Sequence, residues 1–264
     1  DIHSYQCYNA LALSIMTRAG QKDGLTQVEV LLKGIQRLEL ELGEDQVFLF
    51  QRYLQELLDW NTRVNLTAIV ENREVQAKHF LDSLTVSLVI PRDVAAQGSL
   101  IDVGSGGGFP GLPLKILWPG LRVTLVESVG KKAAFLRHIT DTLGLEGVEV
   151  HCQRAESLAH DPRMRETFDM AVSRAVADLS VLAELTLPFC RLGGRVVAQK
   201  KSGIEDELKR SERAVSLLGG ALERVEVVEL EEIGETRWLV VLTKDTASPS
   251  CYPRRPGIPA KRPL

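Results

Sequence analysis

The chain is short of several things, and each scarcity removes a class of protein. No apolar run approaches the roughly 20 residues that a membrane-spanning helix needs. The start carries no charged segment leading into a long apolar one, so no secretory signal is expected. Cysteine is sparse, four in 264 residues. Cys7, Cys152, Cys190 and Cys251 are scattered, with no C-x-x-C pair and no histidine at zinc-ligand spacing. That argues against a disulfide framework and a metal site, and points to the reducing cytoplasm. Neither sign of charge dominates; with a net charge of -3 the chain is not basic all over, and any contact with nucleic acid must come from a local basic face. What is left is a globular composition, 44% hydrophobic and 25% charged, in a length that holds one large α/β domain and an appendage.

What is present in abundance, locally, is glycine. The apolar run Leu100-Ile101-Asp102-Val103 enters Gly104-Ser105-Gly106-Gly107-Gly108-Phe109-Pro110-Gly111, and 112–117 follows with helical character. Pro113 suits the first turn of a helix, where its missing N–H costs nothing. The order is therefore strand, tight turn, helix N-terminus, with exposed N–H groups for a polar ligand and no Cβ to hold it off. A dinucleotide fingerprint would need glycine where Phe109 stands, and a phosphate loop would need Gly-Lys-Ser/Thr at its end. Neither is there. The spacing Gly104-x-Gly106-x-Gly108 behind Asp102 is that of methyltransferases that bind S-adenosylmethionine. The alternating stretch 121–127 reads as the next parallel strand. It ends in Glu127, roughly 20 residues on, where an acid can accept hydrogen bonds from both ribose hydroxyls.

Around this unit the periodicity predicts helices over 27–42, 44–60 and 71–90, then 91–98 as a linker into the sheet. His79 and Asp82 share a face of the third helix and read as structural residues. Further strands are expected over 148–152, 168–175, 193–200, 225–230 and 237–242, with helices over 131–143, 179–189 and 205–218. The fold class is α/β: a Rossmann-like, doubly wound, mostly parallel seven-stranded sheet with one antiparallel strand and a helical N-terminal extension. The expected divisions are an unplaced extension at 1–26, a helical region at 27–98, the S-adenosylmethionine-binding domain at 99–250, and a basic Pro-rich tail at 251–264.

Taken together, Trp60-Asn61, Asn65-Leu66-Thr67, His79-Phe80-Leu81-Asp82-Ser83, the glycine turn, Glu127-Ser128-Val129-Gly130-Lys131-Lys132, Ser173-Arg174-Ala175 and the tail Tyr252-Pro253-Arg254-Arg255-Pro256-Gly257 resemble the bacterial glucose-inhibited division protein B family, the small-subunit ribosomal RNA methyltransferase G. The resemblance runs from about residue 44 to the end. It implies transfer of a methyl group from S-adenosylmethionine to N7 of a guanine in 16S rRNA, with the rRNA or the small ribosomal subunit as partner; the sequence does not determine the oligomeric state, and a monomer is the expectation. It also implies a cofactor pocket drawn from Gly104, Gly106, Phe109, Glu127, Ala155, Glu156 and Arg174. Family members often carry Thr or Cys at Ser105 and Pro or Ala at Gly107, and either acid at Glu127.

Guanine N7 presents an in-plane lone pair and needs no base to free it, so orientation is the expected source of rate. The sequence agrees: Ser173-Arg174-Ala175 follows the fourth strand where amine methylation would call for an Asp/Asn-Pro-Pro-aromatic motif, and no Pro-Cys pair is there to attack a pyrimidine. No general base is assigned, and Arg174 is the candidate for orienting the substrate. Candidate RNA contacts are Lys200, Lys201, Arg254, Arg255, Lys261 and Arg262, positioning phosphates without reading sequence. The tail holds four of these cations and no acid, yet its prolines equally fit a strap packed on the domain. A small-molecule methyltransferase or a non-enzymatic RNA-docking factor on the same fold are the competing readings.

Overall fold

The computed structural model describes residues 28–174, 177–201 and 203–264. The expected extension at 1–26, with Cys7, lies outside them. Seven strands form one sheet in the order β3-β2-β1-β4-β5-β7-β6: β1 Ser99–Val103, β2 Arg122–Val126, β3 Val148–His151, β4 Phe168–Arg174, β5 Cys190–Lys200, β6 Gly220–Val228 and β7 Arg237–Lys244. β1 to β5 pair in parallel, and β7 runs antiparallel to both β5 and β6. The central parallel strands β1, β2 and β4 are buried on both faces and read as near-continuous apolar runs, as the pattern of such sheets requires, whereas β3 at the edge is half-exposed.

Two layers of helix explain that burial. Leu100, Val123, Leu125, Val172, Val197 and Val241 point to one face and Ile101, Val103, Val126, Ala171, Val196 and Val240 to the other, the period-2 alternation of strands. The first face is covered by α1 Glu29–Arg37, α2 Glu44–Asn61, the segment 72–89, α5 Arg92–Gln97, α6 Gly111–Leu117 and α7 Gly130–Thr142. The second is covered by α8 Ala155–Leu158, α9 Leu179–Thr186 and α10 Ile204–Leu217, with Tyr252 and Leu264 of the tail packed beside them. The N-terminal helices therefore share a hydrophobic core with the sheet. No helix among the described residues is long and apolar enough to cross a membrane.

Three expectations need correction. The 71–90 helix is four pieces: α3 Asn72–Val75, a π-helical turn Gln76–Leu81, α4 Asp82–Leu84 and a 3-10 turn Thr85–Val89. Nearly every residue from Val75 to Val86 is buried, so apolar period could not show where the winding changes. The supposed linker at 91–98 contains α5, too short to display a period. Finally, β6 starts five residues before the expected 225, because its edge position leaves most of its residues exposed and without an alternating apolar face.

Candidate functional site

The glycine turn crosses the carboxyl end of β2. The amides of Gly104 and Ser105 both donate to the Val126 carbonyl, at 2.9 and 3.1 Å. Gly104 and Gly106 sit at φ +79° and +57°, the left-handed region that suits glycine. A Cβ at Gly106 would find only the Gly104 carbonyl, at 3.9 Å, so this side of the backbone is open. At Gly108 a Cβ would strike the Tyr53 hydroxyl and Leu112, and at Gly111 it would meet Leu125 and Asp102. One glycine thus keeps the backbone open and two permit packing. Tyr53, brought by α2, donates its hydroxyl to the Gly107 carbonyl and pins the turn from behind.

Two carboxylates brace this turn. Glu127 accepts from the Gly106 amide at 3.0 Å and the Val129 amide at 2.7 Å, tying the glycine turn to the loop after β2. Asp102 Oδ2 accepts from the Gly111 amide at 2.9 Å, whereas its Oδ1 is buried and has no hydrogen-bond partner among the described residues. Burial pushes this carboxyl up to about 7, against the pull of the Gly111 amide and the charge of Arg174. An open glycine backbone beside an incompletely satisfied buried acid suits a cationic ligand rich in donors. Ala155 and Glu156 follow β3 on α8, and Glu156 Oε1 accepts from the Gly257 amide at 2.9 Å. The Phe109 ring is buried, stacked on Tyr53 at 5.6 Å and His79 at 4.6 Å between centroids. It belongs to an aromatic cluster behind the glycine turn.

A second construction stands at the ends of β4 and β5. Arg174 closes β4, where its Nη1 donates to the Lys78 carbonyl and to Asp82 Oδ2, both at 2.9 Å. Its guanidinium lies 5.0 Å from the Phe109 centroid and donates toward His79 Nδ1 at 3.3 Å. Asp82 Oδ1 takes Arg237 of β7, so one buried carboxylate bridges two guanidiniums. Gln199 pairs with Arg174 across β4 and β5. Its Nε2 donates to the Asp82 carbonyl at 2.7 Å, while its Oε1 is buried without a partner among the described residues. His79 Nε2 lies 2.7 Å from the Thr67 hydroxyl, held by a loop that Asn61 closes through the Leu66 and Thr67 amides. Burial, then Arg174, lower the His79 pKa to about 3, so the ring is neutral. His79, Asp82, Arg174, Gln199, Lys200 and Lys201 line a cavity of about 330 Å³.

The sequence does not bring His79, Asp82, Gln199 and Arg237 together, although His79 and Asp82 were visible as neighbours on one helical face. A π turn at functional positions is a recurrent device, and here it holds the Lys78 carbonyl and His79 against Arg174. Among the six candidate RNA contacts the structure separates two. Lys200 is mostly buried and donates to Glu207 Oε1 and the Ala177 carbonyl at 2.5 Å. Arg254 is committed to the buried Glu184. Both charges are spent inside the fold, a correction that follows from opposite charges on α10 and α9. Arg255, Lys261 and Arg262 are exposed, and so is Lys201, 3.3 Å from Glu235.

With this geometry in place, the likenesses to other proteins fall into line. Residues 46–235 match the family described as rRNA small subunit methyltransferase G. A ribosomal RNA small subunit methyltransferase G of Dehalococcoides mccartyi is 52% identical over 234 residues, which cover 89% of this chain and 98% of that protein. One from Leuconostoc mesenteroides is 42% identical over 236 residues, 89% of this chain and 98% of that one. Among solved structures, an S-adenosylmethionine-dependent O-methyltransferase from Thermotoga maritima superposes with a TM-score of 0.50 at 18% identity, covering 73% of this chain and 72% of that one. A mutant of MtNAS in complex with S-adenosylmethionine reaches a TM-score of 0.52 at 17% identity, covering 75% and 72%. At such identities the structural likeness is one of fold.

Proposed function

This chain belongs to the rRNA small subunit methyltransferase G family, and on that premise we propose that it methylates N7 of a guanine in 16S rRNA of the small ribosomal subunit. It is an S-adenosylmethionine-dependent methyltransferase. The observation that carries the finer reading is the adjacency of the two constructions. The Phe109 ring, from the glycine turn, touches His79 and Arg174, which line the cavity at β4 and β5.

The residues present fit the cofactor. Gly106 offers open backbone, Gly104 a left-handed turn beside it, Glu127 a ribose acceptor with lone pairs to spare, and Asp102 Oδ1 a buried oxygen that nothing among the described residues satisfies. The family resemblance assigns Ala155 and Glu156, on the helix after β3, to the adenine. The cofactor, when bound, supplies an electrophilic methyl group on a cationic sulfur.

The chain's own part is to hold the base in line. No proton leaves guanine N7 before attack, which suits a cavity whose histidine is neutral and hydrogen-bonded to Thr67. Arg174 is fixed from two sides by Asp82 and the Lys78 carbonyl. Its remaining N–H donors suit guanine O6, which lies next to N7 on the same edge. Placing nucleophile and methyl group in one geometry is worth many powers of ten in rate. A ribosomal substrate implies work in the cytoplasm.

Transfer of tritium from labelled S-adenosylmethionine tests this reading. Label is expected in 16S rRNA of ribosomal particles, released as 7-methylguanosine on nuclease digestion. Label confined to small metabolites, or on another base atom, overturns it.

A further inference from the structure

We infer that the C-terminal strap is a wall of the cofactor site, its Gly257 amide holding Glu156 so that the free carboxylate oxygen selects the 6-amino group of the adenine. This rests on the assignment of Glu156 to the adenine, and it takes the strap beyond packing.

The strap is fixed before it reaches Glu156. Arg254 meets Glu184 of α9 through Nη2 at 2.6 Å and Nε at 2.9 Å, and its backbone amide adds a bond of 2.7 Å. Glu184 is fully buried, and this partner raises the Arg254 pKa. Such a pair is costly to open, because either charge left alone in the interior is uncompensated. Upstream, Arg165 donates to the Tyr252 and Ser248 carbonyls at 2.9 and 2.8 Å. His160 Nε2 lies 2.8 Å from the Pro253 carbonyl, an acceptor only, so that nitrogen carries the proton.

Past this anchor the chain turns at Gly257, φ +82°, into the short helix α11 Ile258–Lys261. The turn aims the Gly257 amide at Glu156 Oε1, 2.9 Å away. Glu156 is 6% exposed and sits on α8, one residue past the start of the helix that follows β3. A carboxylate on a glutamate's rotatable stem accepts from any donor in reach. Fixing one oxygen gives the other a direction, and a directed acceptor distinguishes an amino group from a carbonyl at the same place. Replacing adenine by hypoxanthine makes that change: the 6-amino donor becomes a 6-oxo acceptor facing a carboxylate.

The test compares calorimetric affinities for S-adenosylhomocysteine and S-inosylhomocysteine. The full chain is expected to prefer the adenosyl form by tenfold or more, the scale of a charge-assisted hydrogen bond. A chain ending at Pro256 keeps the Arg254 anchor and loses the Gly257 donor. Its preference should fall to within about threefold, mainly through weaker binding of the adenosyl form. Gly257→Pro deletes the same donor in the full-length chain and should lower the ratio alike, so the outcome does not hang on a truncated chain folding. A preserved ratio in both variants, whether both affinities stand or fall together with melting temperature, overturns the inference and leaves a strap that only packs. Glu156→Gln should also lower the ratio. If it keeps the full preference, the adenine assignment fails and the inference fails with it; if it loses the preference while the strap variants keep theirs, only the inference fails.

Discussion

The two halves of the site are built in opposite ways. On the cofactor side, the glycine turn, Asp102 and Glu127 lie within 26 residues of one another, and their bonds are mainly backbone amides onto two carboxylates. On the substrate side, Asp82 meets Arg174 and Arg237 across 92 and 155 residues, and the bonds join side chains. The first half is a local conformation with a ligand's shape. The second is a buried ionic network that exists only when α4, β4 and β7 are packed. Damage to the first should therefore cost binding, and damage to the second should cost the fold.

The largest effect tests that contrast directly. Asp82→Ala leaves Arg174 and Arg237 without their shared counter-charge, and should destabilise the chain by about 3–5 kcal/mol in urea unfolding. If the loss stays under about 1 kcal/mol, the network is not what holds this half together. Next, Arg174→Ala should lower methyl transfer to rRNA by about a hundredfold through lost orientation. S-adenosylmethionine affinity should stay within about threefold, and a parallel loss of both would move Arg174 into the cofactor half. Glu127→Ala is the mirror of this experiment. It removes the ribose acceptor and should weaken the cofactor about tenfold or more, with unfolding changed by no more than about 2 kcal/mol. An unchanged dissociation constant would remove Glu127 from the cofactor.

A smaller effect comes from pH. Asp102 keeps its proton in the folded chain up to about 7, while in the unfolded chain it loses it near 3.8. Between these values the native state holds more protons, so the contribution of Asp102 to stability falls as pH rises, and levels off above about 7. Asp102→Asn should flatten this part of the stability profile, while the native chain should bind the cationic cofactor severalfold tighter above pH 7 than below. A cofactor affinity independent of pH there would break the link between that acid and the ligand. The smallest effect is at the surface. Lys201→Ala loses one exposed cation whose pair with Glu235 counts for little. It should reduce the slope of log rRNA affinity against log salt by about one at most, and no change in slope places Lys201 outside the interface.

Legibility follows the same division. The succession of parallel strands and helices around the glycine turn could be read because βαβ units are local and right-handed crossovers leave few choices. The one antiparallel strand was expected, and β7 supplies it between β5 and β6. The broken helix over 72–89 was not legible, since a segment buried on all sides shows no apolar face. Lys200 and Arg254 stood out in the sequence as free cations. Nothing nearby in the chain announces that Glu207 and Glu184 meet them.

The sequence by itself determined the cofactor turn, for glycine at left-handed φ, an acid at a strand end and an amide-rich helix start are properties of short segments. It also determined the alternation that lets the sheet bury both faces. Only the tertiary structure decided which charges are available. His79 is neutral because it is buried beside Arg174, Asp102 holds its proton up to about 7 because it is buried, and the tail's first arginine is an anchor because a buried glutamate awaits it. A side chain's charge and partner depend on the dielectric and the neighbours that distant segments bring. Those do not exist until the chain has closed.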